Sequence, residues 1–182
     1  MGIKEKDKKT NDLLILVDEQ DHEIGLLNKL AVHQKGLLHR AFSVFIFNSK
    51  RELLLQQRAY KKYHSSGLWS NTCCSHPCNG DKMNDAVARR LKEEMGLNCH
   101  AEFKFSFIYK MHFENGLTEH ELDHVYFGKS DEIPEPDPEE VKDWKYLSLK
   151  NLENEIDLNP QNFSAWLKIC LHKVMELAQA KK

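Results

Sequence analysis

The stretch NDAVARRLKEEMGL, residues 84–97, commits the chain to one piece of architecture before anything else is read. Val87, Leu91 and Met95 recur at i, i+4 and i+8, the spacing of one helix face. Asn84 can cap the start of that helix and Gly96 can end it. The segments around it carry a different period. LLILVD (13–18) and DHEIG (21–25) read as two strands around a turn, HRAFSVFIFN (39–48) as a long β-rich run, and ELLLQQRA (52–59) as its hairpin partner. YKKYHSSG reads as a polar loop. AEFKFSFIYKMHF (101–113) alternates as a strand, turns at ENG and returns through TEHELDHVYFGKS. EIPEPDPEE is a Pro- and acid-rich connection, VKDWKYLSL a last strand, and FSAWLKICLHKVMELAQAKK a closing amphipathic helix. The expected class is α/β (α+β), a mixed sheet with two helices. Residues 13–182 are expected to form one domain and residues 1–12 a disordered leader.

Size and charge narrow the functions open to such a chain. Its 182 residues suffice for one domain with a sizeable core. With 26 basic against 28 acidic side chains, the formal charge is −2. A field that weak gathers neither nucleic acid nor an anionic membrane, so any phosphate binding must come from a local basic cluster. No apolar run approaches a membrane span of about 18 residues, and MGIKEKDKKTND lacks the apolar core of a signal peptide. Five cysteines without a secretion signal argue against a disulfide framework. The expected compartment is the cytoplasm. No apolar stripe is left over once the core is assigned, so the expected state is a monomer.

Two groups of residues carry chemistry. In SNTCCSHPC (70–78), three cysteines and a histidine fall within nine positions, which admits a zinc clip, a redox pair or a catalytic thiol. A clip would need a second Cys/His pair at proper spacing, and Cys-x-x-Cys is absent. The second group is spread along the chain. His33 and His39 flank QKGLL, read as a loop entering a strand; His76 follows Cys74 by two; Glu119 and Glu121, at i and i+2 of a strand, share a face. Three imidazoles and two carboxylates can make a five-ligand site with one position open, a donor set suited to Mn²⁺, Mg²⁺ or Zn²⁺. His64, His100, His112, His120, His124 and His172 are read as solvent or packing residues. On the helix, Arg90 with Glu94 and Arg89 with Glu93 are four apart, which taken alone makes two surface ion pairs.

SHPCNGDKMNDAVARRLKEEMGL resembles the Nudix box, a helix that holds Mg²⁺ against a diphosphate. Arg89, Leu91, Glu93, Glu94, Gly96 and Leu97 match it. Ser75 stands where the box has Gly, Asp81 where it has Glu, and Arg90 where it has a Glu ligand. That last change weakens the case for diphosphate hydrolysis. NKLAVHQKGLLHRAFSVFIFN, LLLQQRAYKKYHSSGLWSNTCCSHPC, NDAVARRLKEEMGL, EHELDHVYF and NFSAW together resemble the type 1 isopentenyl-diphosphate Δ-isomerases, in that family's order, from about residue 28 to 166.

The resemblance implies a Nudix-type α/β/α sandwich, and a reversible 1,3-proton shift between isopentenyl and dimethylallyl diphosphate through a tertiary carbocation. It implies Cys74 and Glu121 as the acid/base pair on opposite faces of the substrate. Tyr109 would relay or position the proton, and Trp166 would turn its ring face toward the cation. His33, His39, His76, Glu119 and Glu121 would hold one Mn²⁺, Mg²⁺ or Zn²⁺. A second ion, Mg²⁺, would sit between Glu94, the Cys74 carbonyl and the diphosphate. Lys29, Arg58 and Lys62 would contact the diphosphate, with Arg90 joining them as a phosphate donor. Cys73 and Cys78 are bystanders in this reading. A Nudix diphosphohydrolase and a metal-binding module without turnover are the competing readings. Cys74→Ala separates the last of these, because it leaves a module's binding unchanged and ends an isomerase's turnover.

Overall fold

The computed structural model describes residues 13–62 and 64–180; the leader expected at residues 1–12 lies outside them. In chain order the elements are β1 (Leu13–Val17), β2 (Glu23–Asn28), α1 (Lys29–Lys35), β3 (His39–Phe47), β4 (Glu52–Arg58), β5 (Trp69–Ser70), β6 (Cys73–Ser75), α2 (Met83–Met95), β7 (Ala101–His112), β8 (Thr118–Lys129), β9 (Val141–Ser148), α3 (Leu149–Leu158), a 3-10 turn (Pro160–Asn162) and α4 (Ala165–Gln179). The expected α/β class and mixed sheet are what is found.

Strand β3 organises the molecule. It runs parallel to β8 over its full length, from His39 opposite Glu121 to Phe47 opposite Lys129. It also pairs antiparallel with β6, with β1 at Leu16 and with β4 at Phe47. β7 joins β8, β9 and β5 join β4, and β2 joins β1. Because side chains alternate along a strand, β3 feeds two cores. Phe42, Val44 and Ile46 pack with Val87, Leu91 and Met95 of α2, whereas Phe45 and Phe47 pack with Leu152 of α3 and with Leu167, Cys170, Leu171 and Val174 of α4. Helices on both faces of one sheet make the α/β/α sandwich.

The helix expected at 84–97 is α2, shifted by a residue or two. Its N-cap is Lys82 and not Asn84, and no side chain caps it. Asp81, the side chain placed to do so, instead accepts from the Cys78 N–H at 2.9 Å and from Arg89 at 2.8 Å. Gly96 ends the helix at φ 71°, and a Cβ there would meet the Glu135 carbonyl oxygen at 2.6 Å. The Pro-rich connection is held against that end, since the N–H groups of Glu135 and Asp137 donate to the carbonyls of Met95 and Glu94.

Two helices depart from the sequence reading. Residues 29–33 carry no predicted element, and with Gln34 and Lys35 of the QKGLL loop they form helix α1: the Asn28 side chain accepts from the Leu30 N–H at 3.0 Å, and Gly36 closes the helix in the left-handed region. Helix α3 follows β9 directly and was not expected; Ser148 caps it by accepting from the Asn151 N–H. No helix of the described residues is long and apolar enough to cross a membrane.

Candidate active site

The site lies where β8 meets β3 and β7. Register puts His39 of β3 on one side of Glu121 and Tyr109 of β7 on the other. Glu119, Glu121 and Asp123, at alternate positions of β8, share a face. Helix α1 adds His33, one turn after Lys29. Strand β6 adds Cys74, opposite Ser43 of β3, and the chain leaving it adds His76. A cavity of about 70 Å³ is lined by Cys74, His76, Tyr109, Glu119 and Glu121 of this group, and also by Arg58 at the end of β4, Lys62 beyond it, Arg90 and Glu94 of α2, and Trp166 of α4. Every site residue expected from the sequence except His33 and His39 lines this cavity, and these two histidines are buried beside it.

The carboxylates are shared out between partners. Tyr109 donates to Oε2 of Glu121 at 2.7 Å, while His76 Nε2 stands 3.0 Å from Oε1. Glu119 faces His33 Nε2 at 3.1 Å and His39 Nε2 at 3.8 Å through Oε2. Burial raises the pKa of both carboxyls, but the surrounding imidazoles outweigh it and hold both below the ordinary range.

The donor set fits a divalent cation. A carbonyl can only accept, so His33 and His39 donate through Nδ1–H to the carbonyls of Lys29 (2.7 Å) and Leu37 (2.9 Å). Their Nε2 atoms then turn toward carboxylates, and a lone pair facing a carboxylate oxygen calls for a second proton or a cation between them. The Nε2 of His39 is buried and hydrogen-bonds nothing among the described residues. His33, His39, His76 and Glu119 each offer one donor atom, all within 4.8 Å of one another. Glu121 stands at the edge of this group, its Oε1 3.7 Å from His39 Nε2.

Cys74 occupies a different environment. Its thiol donates to Oδ1 of Asn71 at 2.9 Å, and its sulfur accepts from the Trp166 indole N–H at 3.0 Å. Burial first, then the Asp123 charge, push the thiol up to about 12. Arg58 lies 5.2 Å over the Trp166 ring, and its buried Nε has no hydrogen-bond partner among the described residues. Lys62 pairs with Glu140; Arg90 reaches Glu93 at 2.7 Å, Glu94 at 2.5 Å and Glu140 at 3.5 Å. The cavity wall on this side is therefore a basic cluster already threaded with carboxylates.

Three participants were not found in the sequence. Asn71 joins Cys74 and Trp166, and its amide nitrogen donates to the carbonyls of Val44 and Cys73. Asp123, fully buried, accepts from the Ser43 hydroxyl at 2.7 Å. His64, read as a solvent or packing residue, is instead buried with Nε2 2.7 Å from Oε1 of Glu119. The only sequence signals were alternation for Asp123 and adjacency to the cysteines for Asn71; a loop gave none for His64.

Comparison with known proteins gives the family and the fold. A family model described as NUDIX domain matches residues 37–167. The isopentenyl-diphosphate Delta-isomerase 2 of Aromatoleum aromaticum is 50% identical over 90% of this chain and 87% of its own. The isopentenyl-diphosphate Delta-isomerase of Pectobacterium atrosepticum is 47% identical over 93% and 94%. A crystal structure of a Deinococcus radiodurans protein, 18% identical, superposes with a TM-score of 0.74 over 88% of this chain and 98% of that one, a likeness of fold.

Proposed function

We infer the function of this chain from its family: it belongs to the NUDIX domain family and, within it, to the isopentenyl-diphosphate Delta-isomerases. It is an isomerase that interconverts isopentenyl and dimethylallyl diphosphate. The observation that supports the catalytic reading is that Cys74 and Glu121 line one cavity, the thiol held by Asn71 and Trp166 and the carboxylate by Tyr109 and His76. Moving a double bond by one carbon needs one proton added at the terminal methylene and one removed from the carbon on the far side of the branch, so two groups on opposite faces suffice.

In this proposal Cys74 and Glu121 exchange those protons with the substrate. Tyr109 holds Glu121 in place and shares its proton. The indole N–H of Trp166 and the amide oxygen of Asn71 fix the sulfur, and the aromatic ring offers its electrons to the cationic carbon. Lys29, Arg58, Lys62 and Arg90 bind the diphosphate. Arg58 brings a buried guanidinium N–H with no partner among the described residues, while Lys62 and Arg90 exchange Glu140 for phosphate oxygens. His33, His39, His76 and Glu119, with Glu121 beside them, would hold one Mn²⁺, Mg²⁺ or Zn²⁺; Glu94 and the Cys74 carbonyl would hold a Mg²⁺ bound with the diphosphate. Such cations supply charge that neutralises phosphate and sets the basicity of their carboxylate ligands. Residues 13–182 act as a single domain, a cytoplasmic monomer without nucleic-acid or membrane partners; the weak net charge supports this.

Proton NMR with isopentenyl diphosphate and Mg²⁺ in D₂O tests the reading. Dimethylallyl diphosphate carrying solvent deuterium is expected. Release of inorganic phosphate would replace the isomerase with a hydrolase, and unchanged substrate in reduced, metal-replete protein would overturn the assignment.

A further inference from the structure

His64 lies on the connection between β4 and β5, the segment that begins after Arg58 and carries Lys62. Its ring is buried three-sidedly by groups from elsewhere. It stacks on Phe113 with centroids 5.0 Å apart at 21°, meets Trp166 edge-on at 6.1 Å, and stands 6.2 Å from the His33 ring. Its Nε2 is 2.7 Å from Oε1 of Glu119. A carboxylate accepts only, so Nε2–H is the donor, and the Nδ1 atom left with a lone pair stands 3.4 Å from the Ser65 hydroxyl. The His64 carbonyl in turn accepts from Nη2 of Arg58 at 3.4 Å.

We propose that His64 is a positioning residue: it holds Oε1 of Glu119 so that Oε2 alone is presented to the metal-binding imidazoles, and it thereby ties the diphosphate-binding connection 59–68 to the metal centre. The two oxygens of Glu119 are divided in space, Oε2 toward His33 and His39 and Oε1 toward His64. A carboxylate free to rotate could chelate through both oxygens or swing out; a donor on one oxygen removes both options. His64 is not itself among the donor atoms that cluster within 4.8 Å. Its reach runs the other way, into a connection whose Lys62 and adjacent Arg58 bear the charges that meet the diphosphate. Since His64 touches both sides, cation binding that fixes Glu119 also fixes the connection, and the coupling is reciprocal. The inference rests on the metal reading above.

The test is calorimetric titration of the full chain with Mn²⁺ alone, no substrate present, beside amide exchange of residues 59–68 with and without Mn²⁺. Four proteins are compared: the parent, His64→Ala, His64→Gln and His39→Ala. His64→Ala is expected to bind Mn²⁺ about 10- to 100-fold more weakly, the range typical of partners that orient a metal ligand. Mn²⁺ is expected to slow exchange in the connection of the parent and not of His64→Ala. His64→Gln, which keeps an N–H donor at similar reach, is expected to recover most of both effects, which simple loss of packing would not allow. Parent-like Mn²⁺ affinity in His64→Ala, with affinity lost in His39→Ala, overturns the positioning role and leaves the metal reading standing. Parent-like affinity in both overturns the two together. If His64→Ala does not fold, His64→Gln decides: parent-like binding and exchange support the role, and loss of both overturns it.

Discussion

Tyr109 and His76 take opposite oxygens of the same carboxylate, the tyrosine hydroxyl on Oε2 of Glu121 at 2.7 Å and the imidazole on Oε1 at 3.0 Å. One carboxylate is thus divided between a protic partner and the metal-binding cluster. Tyr109→Phe removes the protic side only. Turnover is expected to fall about 10²-fold, the low end of what a positioned acid–base partner contributes, with little change in substrate KM. Glu121→Gln is expected to abolish turnover while the far-UV circular dichroism stays that of the parent. Equal kcat in Tyr109→Phe and parent would remove Tyr109 from the reaction.

Cys74→Ala separates chemistry from metal binding. The thiol's own partners are Asn71 and Trp166, so its loss is expected to end isomerisation while Mn²⁺ affinity, read by calorimetry, stays within about two-fold of the parent, a difference of about 0.4 kcal/mol. A chelator such as EDTA should remove the metal and leave the thiol: activity disappears and the melting temperature drops, and both return on adding Mn²⁺ or Mg²⁺. Cys74→Ala that turned over like the parent would sink the acid/base assignment.

Asn71 is the densest polar junction of the site. It accepts from Cys74 and Trp166 and donates to two backbone carbonyls. Asn71→Leu takes the amide donor from two buried carbonyls and the shared acceptor from Cys74 and Trp166, whose indole N–H keeps only the Cys74 sulfur, so a loss of about 2–3 kcal/mol in urea unfolding is expected, together with slower turnover. Unchanged stability would mean that water replaces the amide.

The Lys62–Glu140–Arg90 cluster predicts an acid limb. Burial raises the Glu140 carboxyl, but Lys62 and then Arg90 outweigh it, and its pKa falls below the ordinary value. A depressed carboxyl stabilises the fold above its unfolded-chain value of about 4.3, and that stabilisation is lost as pH drops through the lower folded value. Glu140→Gln should therefore flatten the fall of unfolding free energy below about pH 4.3, where the parent keeps falling. Superimposable acid limbs would exclude the cluster from stability.

Gly96 meets two demands at once, a left-handed φ and an approach of 2.6 Å from the Glu135 carbonyl to any added Cβ. Gly96→Ala should cost at least about 1–2 kcal/mol from the backbone alone, more if the Pro-rich connection is displaced. Gly80 shares the left-handed φ but a Cβ there meets nothing within 4 Å, so a thermal shift no larger than that of Gly80→Ala would refute the cost of the close approach.

Legibility followed the length of the pattern. Thirteen helical residues with an i, i+4, i+8 stripe and a terminal Gly announced α2, and strict alternation put Glu119 and Glu121 on one face of β8. Helix α1 spans only seven residues, too few for a stripe, and its signals were the cap and stop at Asn28 and Gly36. Without an expected helix at 29–33, nothing in the sequence put Lys29 and His33 on a shared face. The family resemblance collected the His/Glu ligands, which pattern alone could only gather as one grouping of ten histidines. His64 stayed hidden because its partner is 55 positions away in sequence and its own segment has no period; only the packing of Phe113 and Trp166 around it reveals its place.

The pairing of His39 with Glu121 across the parallel β3–β8 seam makes the chemistry hostage to a single integer. Side chains alternate, so a slip or insertion of one residue in the first half of β8 would turn all three of its acidic groups away together and offer His120 and Leu122 in their place. Drift in this strand can therefore proceed by substitution but not by length. An insertion scan along β8 should give an abrupt dead zone from Thr118 to Asp123, with tolerance returning toward the Lys129 end.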